Sequence, residues 1–448
     1  MKSLIVHLHG ERTGLLEQED GDPLRFIYDP AWLAKPDAVP LSRSLPLQSE
    51  AFPAKKARPF FAGLLPEEEP RKIVAKILGI SAANDFAMLE RIGGECAGAV
   101  QLLPAETELA AQIFIPPREL STPELEQIVA ELPRRPLLAG RDGLRLSLAG
   151  AQDKLPVLIR DGCMYLPLDD LPSSHVLKPE PARFSGLAAN EWFALALARA
   201  VGLDVPAAEF RIIGETPCLL VARYDRRAGA DGRLRRIHQE DFCQALGFPP
   251  ERKYQAENGP TLRHCFELLR TWSTVPARDV PAFIDGLIFN VLIGNADAHA
   301  KNFSLLYIDG ERRLAPFYDL VSTLAWPELT AKPAMKIGHA DSLDVFASAE
   351  WKILARETGL AWPLLRERLN LSARAVQEHL DFVLAHAPAP AVATVRPLGE
   401  TIRARADRMQ SALATNSSPD RRSARSTPGP TTEPTASVGH RVEVADPD

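Results

Sequence analysis

Five cysteines stand among 448 residues, Cys96, Cys163, Cys218, Cys243 and Cys265, far apart and with no C-x-x-C pair. This excludes a disulfide framework and a cysteine-based zinc site, and it fits a reducing compartment, so a cytoplasmic location is expected. Long apolar runs are missing too. No stretch approaches the roughly 18 uninterrupted apolar residues that span a bilayer, and no membrane span is expected. The opening MKSLIVHLHGERTG has too short an apolar run before His9 and Glu11 for a secretory signal and reads as a strand. Nor is there an excess of positive charge. With 52 Lys and Arg against 58 Asp and Glu, the net charge is −6, which argues against sequence-independent coating of nucleic acid by this chain alone, although a partner could supply such contact.

What is present suits a folded protein of several domains. Hydrophobic residues at 46% and charged residues at 25% are ordinary globular values, and the length suits two or three domains, each with its own core. Residues 1–105 alternate short strand-like runs (SLIVHLHG, LRFIYD) with turns. They then pass through LSRSLPL and PFFAGLLP to helices at about Glu67 to Leu78 and Asn84 to Arg91, and read as a small α/β unit. His7 and His9 alternate on its first strand, where a solvated or satisfied strand face is favoured over metal ligation. Residues 106–143 turn rich in Pro, Glu and Arg, with one helix capped by Ser121 or Thr122, and read as a connector. Residues 144–230 read as a unit of strands with one helix, LAANEWFALALARAVG, and residues 231–412 as mostly helix. The stretch from Ile237 is expected to open a helix with acidic residues in its first turn. Further helices are expected at Thr261 to Trp272, Val280 to Ile293, Ser348 to Thr358, Trp362 to Leu369, Ala373 to His386 and Leu398 to Leu413. Residues 413–448 hold little to bury and are expected to be disordered.

The chemistry concentrates in Phe289 to Leu306, FNVLIGNADAHAKNFSLL, which reads as a buried helix, a loop and a strand. Asp297 sits on that loop and Asn302 follows five positions later. That interval recurs in kinase catalytic loops, where the Asp takes the acceptor hydroxyl's proton and the Asn binds magnesium. Asp319, closing Leu314-Ala-Pro-Phe-Tyr-Asp, stands where a kinase keeps a second metal-binding carboxylate. Upstream, LRLSLAGAQDKLPVLIRDGCMYLPL reads as a strand, a turn of small residues, a strand, an Asp161-Gly162 hairpin and a third strand. Ala149, Gly150 and Ala151 would let backbone amides approach phosphate oxygens, and Lys154 leaves the loop as a cation. Ser147 lies on the first of these strands, and a phosphate there would oppose nucleotide binding or eject the loop. Lys178, in the strand SHVLK, is the candidate grip on the inner phosphates, with Glu191 on the helix LAANEWFALALARAVG as its possible partner. Ala222 to Tyr224, ending a further strand, would be the hinge that pairs with adenine through backbone groups.

The ordered set LSRSLPL, PFFAGLLPE, SLAGAQDK, HVLKPE, NEWFALALARAVGLDVP, VARYDRR, HQEDFCQALG, IGNADAHAKNFS and PFYDLVST resembles the HipA family of serine/threonine kinase toxins, over about residues 1 to 410. The resemblance implies an α+β, two-lobed protein-kinase-like fold, with a small amino-terminal α/β subdomain and a mainly helical carboxy-terminal lobe. It implies ATP and magnesium as cofactors, and growth arrest through phosphorylation of an aminoacyl-tRNA synthetase, the glutamyl enzyme in the best-known members. It also implies a helix-turn-helix antitoxin that binds DNA. Carried over by position, Asp297 is the catalytic base and Asn302 and Asp319 are the magnesium ligands. Ala149, Gly150, Ala151, Gln152, Asp153 and Lys154 form the phosphate loop, and Lys178 grips phosphate. Ala222, Arg223 and Tyr224 form the hinge, and His299, Ala300, Lys301 and Tyr318 complete the nucleotide contacts. Ser147 is the autophosphorylated serine that switches the enzyme off. Asp153 stands where Glu is commoner, and Ala222 where some members have Glu; both leave the backbone contacts possible. Two other functions are open: a small-molecule or lipid kinase, since Asp-x-His-x-x-Asn occurs there as well, and a kinase-shaped corepressor acting with a DNA-binding partner.

Overall fold

The computed structural model describes residues 2–19, 23–104, 117–168 and 171–415. The unstructured tail expected from 413 on falls outside these from 416; positions 413–415 complete the last helix. No helix among the described residues is long and apolar enough to cross a membrane.

The amino-terminal unit is a four-stranded antiparallel sheet in the order β3-β2-β1-β4, from Lys2–Leu8 (β1), Glu11–Gln18 (β2), Arg25–Tyr28 (β3) and Val100–Pro104 (β4). It packs on helices at Ala54–Ala62, Glu68–Leu78 and Asp85–Ile92 around a core that includes Leu4, Phe26, Phe60 and Leu89. Asn84 caps the last of these helices by accepting from the N–H of Ala87.

The middle of the chain forms a five-stranded antiparallel sheet, β6-β5-β7-β9-β8, from Leu155–Arg160 (β5), Cys163–Tyr165 (β6), His175–Pro179 (β7), Ala208–Ile213 (β8) and Thr216–Ala222 (β9). The strand expected at 144–148 is absent as such. Its alternating apolar residues, Leu144, Leu146 and Leu148, are buried by packing, while its backbone bonds run to Glu95 through a single bridge rather than a ladder. Residues 117–143 pack as a layer on this sheet: Ile128, Val129, Leu132 and Leu138 share a core with Leu155, Leu177 and Leu220. Ser121 forms a capping box with Glu124 at the head of Thr122–Glu131.

The remaining chain is helical around one large core that also takes in the helix Leu187–Ala200. Two expectations are corrected here. Past the antiparallel ribbon of Arg226–Ala228 (β10) and Leu234–Arg236 (β11), residues His238–Asp241 are a strand (β12), paired antiparallel with Ser304–Ile308 (β13) and through it with Glu311–Leu314 (β14). Only the short helix Phe242–Leu246 follows, capped by Asp241. The two helices expected between Trp362 and His386 are one, Trp362–Ala385, since no glycine or proline interrupts its interior after the first turn.

The two LSRSLPL and PFFAGLLPE stretches seat the amino-terminal unit on the helical lobe. Ser42 Oγ and the N–H of Arg43 donate to Glu240 at 2.5 and 3.1 Å, Ser44 Oγ donates to Gln244 O, and Gln244 Nε2 donates to Phe60 O. Burial pushes the Glu240 carboxyl up to about 7, against the pull of the Ser42, Tyr307 and Arg43 donors. The unfolded chain releases this proton near the ordinary 4.5, so the native state holds the extra proton between those values and loses stability as pH rises through the window. Thermal unfolding of wild type and Glu240→Gln should therefore diverge, wild type falling relative to the variant from about pH 4.5 to 7 and running parallel above it. The comparison cancels the opposite effect of buried His238, held neutral with its pKa lowered to about 3.

Candidate active site

Strand β7 carries Lys178 one residue before its end, and the helix Leu187–Ala200 brings Glu191 beneath it. Lys178 Nζ lies 2.7 Å from Glu191 Oε1 and 2.5 Å from Asp319 Oδ1. Burial alone would favour the neutral amine, but the Asp319 and Glu191 carboxylates more than offset it and hold Lys178 protonated. Asp319 is likewise penalised by burial, yet Lys178 and Lys154 draw its pKa down to about 2. Its side chain is 42% exposed, so solvent screens part of that attraction. Burial raises the pKa of Glu191. Asp319 adopts a left-handed backbone, φ +52, a costly conformation for a non-glycine residue that turns its carboxylate toward the lysine.

Asp297 is exposed on the loop after the helix Pro276–Ile293. Gly294, φ +77, ends that helix. Four contacts fix the loop. Asn302 Nδ2 donates to Asp297 O at 3.1 Å, the N–H of Asp297 donates to Asn295 Oδ1 at 3.1 Å, and Asn295 Nδ2 donates to Asn290 Oδ1 at 2.7 Å and toward Asp319 O at 3.4 Å. Buried Asn295 thus ties the backbone of Asp297 to that of Asp319. The Tyr254 hydroxyl donates to Asp297 Oδ1 at 2.9 Å. Asn190, beside Glu191, clasps Ser322 through both halves of its amide, which fixes the chain just past Asp319.

The small-residue loop folds over its own lysine. Lys154 Nζ donates to Ala149 O at 2.5 Å, and Gly150 has φ +110; a Cβ there would lie 2.6 Å from Lys154 Nζ. Only glycine fits this position. Burial depresses the Lys154 pKa, and burial raises that of Asp153. Gln152 Nε2 reaches Pro179 O at 3.3 Å, and the N–H of Glu67 holds Gly150 O. Ser147 is fully buried, and its Oγ donates to Leu64 O at 2.8 Å.

At the hinge, the N–H groups of Ala222 and Arg223 donate to Ala207 O and Ser174 O. The Tyr224 ring stacks on Tyr318 with centroids 5.6 Å apart, and the Tyr318 hydroxyl donates to Lys301 O. Three residues of the expected nucleotide set have side chains that face elsewhere. Arg223 turns inward to Glu95 and Asp225, because a guanidinium buried among carboxylates is better satisfied there. Ala300 is in the core. Lys301 pairs with Asp241 at 2.6 Å and approaches Glu67, joining the amino-terminal unit to the helical lobe. His299 is buried with Nδ1 unpartnered and its pKa lowered by burial; its ring meets Tyr254 edge-on.

Sequence reasoning overlooked Tyr254, Asn295 and Asn190. Asn295 and Asn190 sat in plain view within IGNADAHAKN and NEWF, but Tyr254 lies 43 residues from its partner and carries no local signal. Among the described residues no group of three or more His, Cys, Asp or Glu side chains is placed to hold a metal, and this includes His7 and His9.

The family model of the HipA-like C-terminal domain matches residues 146–389, and that of the HipA N-terminal domain matches residues 4–103. The chain is 49% identical over 373 residues to a putative kinase, Y4mE, of Sinorhizobium fredii, covering 83% of this chain and 89% of that protein. It is 29% identical to the serine/threonine-protein kinase toxin HipA of Shewanella oneidensis, covering 86% of this chain and 90% of that one. A solved structure of Shewanella oneidensis HipA with HipB and operator DNA superposes with a TM-score of 0.81 at 26% identity, over 92% of this chain and 98% of that one.

Proposed function

Since the chain belongs to the HipA family, we propose that it is an ATP-dependent serine/threonine protein kinase, the toxin of a toxin-antitoxin module. The observation that carries this reading is the convergence of Lys178, Glu191 and Asp319 beside a loop whose Asp297 is tied to Asp319 through Asn295. Lys178 would grip the inner phosphates of ATP, with Glu191 fixing its rotamer. The amides of the Gly150 loop would cover the phosphates, and Ala222 to Tyr224 would present backbone groups to adenine. Asp297, open to solvent, would orient the acceptor hydroxyl and take its proton as the new phosphorus–oxygen bond forms and the bond from the γ-phosphorus to the bridging oxygen breaks, releasing ADP. Tyr254, on Asp297 Oδ1, would leave Oδ2 for that task.

The donor set fits magnesium. Asp319 stays ionised at neutral pH, Asn302 adds an amide oxygen, and both are hard ligands of the kind the ion prefers, with phosphate oxygens completing its shell. Bound there, magnesium would neutralise charge developing on the transferred phosphoryl group.

Ser147 would be a regulatory autophosphorylation site. A phosphate cannot share the place of a fully buried hydroxyl, so a phosphorylated Ser147 would lie outside its pocket and take the phosphate loop with it. The partner would be a helix-turn-helix, HipB-like antitoxin that binds DNA, and the acceptor a serine or threonine of a translation protein such as an aminoacyl-tRNA synthetase.

The test is to supply the protein with γ-labelled ATP, magnesium and a cytosolic extract. Label on protein serine or threonine is expected. Label in small molecules alone would replace this reading with a metabolite or lipid kinase. No transfer, together with no growth arrest on expression, would leave a corepressor.

A further inference from the structure

The phosphate loop and the hinge are joined by a residue that belongs to neither. Glu95 lies in the turn ahead of β4, in the amino-terminal unit. Its N–H donates to Arg145 O at 2.8 Å and its carbonyl accepts from the N–H of Ser147 at 2.9 Å. The backbone of Glu95 therefore clasps the segment that carries Ser147 and leads into the phosphate loop. Its carboxylate, 1% exposed, reaches the opposite way. Oε1 accepts from Ser173 N at 3.0 Å, Ser173 Oγ at 2.8 Å, Arg223 Nη1 at 3.1 Å and Arg226 Nη2 at 2.7 Å, and Oε2 accepts from Arg236 Nε at 2.9 Å and Nη2 at 2.6 Å. Arg223 and Ser174 are the hinge pair, joined through Arg223 N and Ser174 O. Arg223 is also held by Asp225, which accepts in turn from the N–H of Gly98 at 2.7 Å.

A buried carboxylate with this many donors tolerates little movement, because each lost contact leaves a buried guanidinium or amide unpaired. When residues 145–149 leave their place, Glu95 loses both backbone bonds that fix it, and the donors of its carboxylate include the hinge itself. On the reading of this cleft as a nucleotide site, we propose that Glu95 is a positioning residue that couples the phosphate loop to the adenine hinge. Displacement of the Ser147 segment then weakens recognition of the base as well as of the phosphates. Coupling between sites through such a shared element typically changes affinity by about 5-fold or more.

Adenosine isolates the effect, since it meets the hinge and carries no phosphate. Calorimetric titrations of the full chain with adenosine and with magnesium-ATP would compare wild type, Ser147→Asp, Glu95→Gln and the double variant. Ser147→Asp displaces the segment, because its side chain has no room in the Ser147 pocket. The expected result is that Ser147→Asp weakens adenosine by about 5-fold or more in the wild-type background and by much less once Glu95 is Gln. Should Glu95→Gln fail to fold, Ser173→Ala, which keeps every charge and removes one donor, provides the same comparison with a smaller non-additivity. Adenosine affinity untouched by Ser147→Asp while ATP affinity falls would overturn the coupling and leave the nucleotide site standing. Equal losses in both Glu95 backgrounds would also overturn it. Binding of neither ligand by wild type would remove the site and the coupling together.

Discussion

Asp297→Ala should lower the rate of phosphate transfer from ATP by about 10²- to 10⁴-fold, the range that a positioned acid/base group contributes. Its melting curve should stay within a degree or two of wild type. Asp297 is exposed, and its side chain holds one hydrogen bond, from Tyr254, so little folding free energy depends on it. Asp297→Asn keeps the shape and the Tyr254 contact but removes the basic oxygen, and should be about as inactive. Rates from labelled transfer to the endogenous acceptor, read beside thermal melts of the same preparations, check both halves. A loss of only tenfold would mean that the carboxylate orients rather than accepts the proton.

Lys178→Met should behave differently, losing activity and stability together. The activity loss is about 10²- to 10³-fold, as for other preorganised groups that meet developing charge. The stability loss arises because Glu191, with a side chain only 3% exposed, is left in the interior without its cation. Breaking a buried pair from one side costs about 3–5 kcal/mol; the partly exposed Asp319 contributes little to that figure because water screens it. Removing both partners should undo the folding defect, so Lys178→Met with Glu191→Gln should melt closer to wild type while staying inactive. Denaturant melts of Lys178→Met, Glu191→Gln and the double variant separate the lysine's role in the fold from its role on phosphate.

These contrasts trace which parts of the site could be read in the sequence. Asp297 and Asn302 were legible because a single loop carries both and the interval between them is fixed by its backbone. Lys178 and Glu191 were legible as a strand lysine followed by a helix carboxylate, and the 2.7 Å contact joins them. Tyr254 and Glu95 were not, because their partners lie 43 and 128 positions away, and nothing in local composition marks a contact made only by folding. The place of Arg223 in the expected hinge segment was legible but the direction of its side chain was not, since spacing cannot tell which way a residue faces when two networks compete for it.

The errors in secondary structure have similar origins. Acidic residues ahead of an apolar run suggested a helix start at His238–Asp241, but pairing with β13 extends the backbone and only Asp241 acts as a cap. Alternation in LRLSL suggested a strand, but Leu144 and Leu146 are buried against the 117–143 layer and the five-stranded sheet without a ladder of their own. The resemblance to the HipA family carried the two-lobed architecture further than periodicity did, because it fixed how units separated by a hundred residues meet.

The central claim is that Asn302 and Asp319 face one divalent cation while Asp297 faces the terminal phosphoryl group of a nucleotide gripped by Lys178. Crystals grown with manganese and a non-hydrolysable ATP analogue, measured at the manganese absorption edge, test it most directly. The account predicts an anomalous peak bounded by the Asn302 amide and the Asp319 carboxylate, with the γ-phosphate turned toward Asp297. A nucleotide seated elsewhere, or a metal held without either residue, would contradict it.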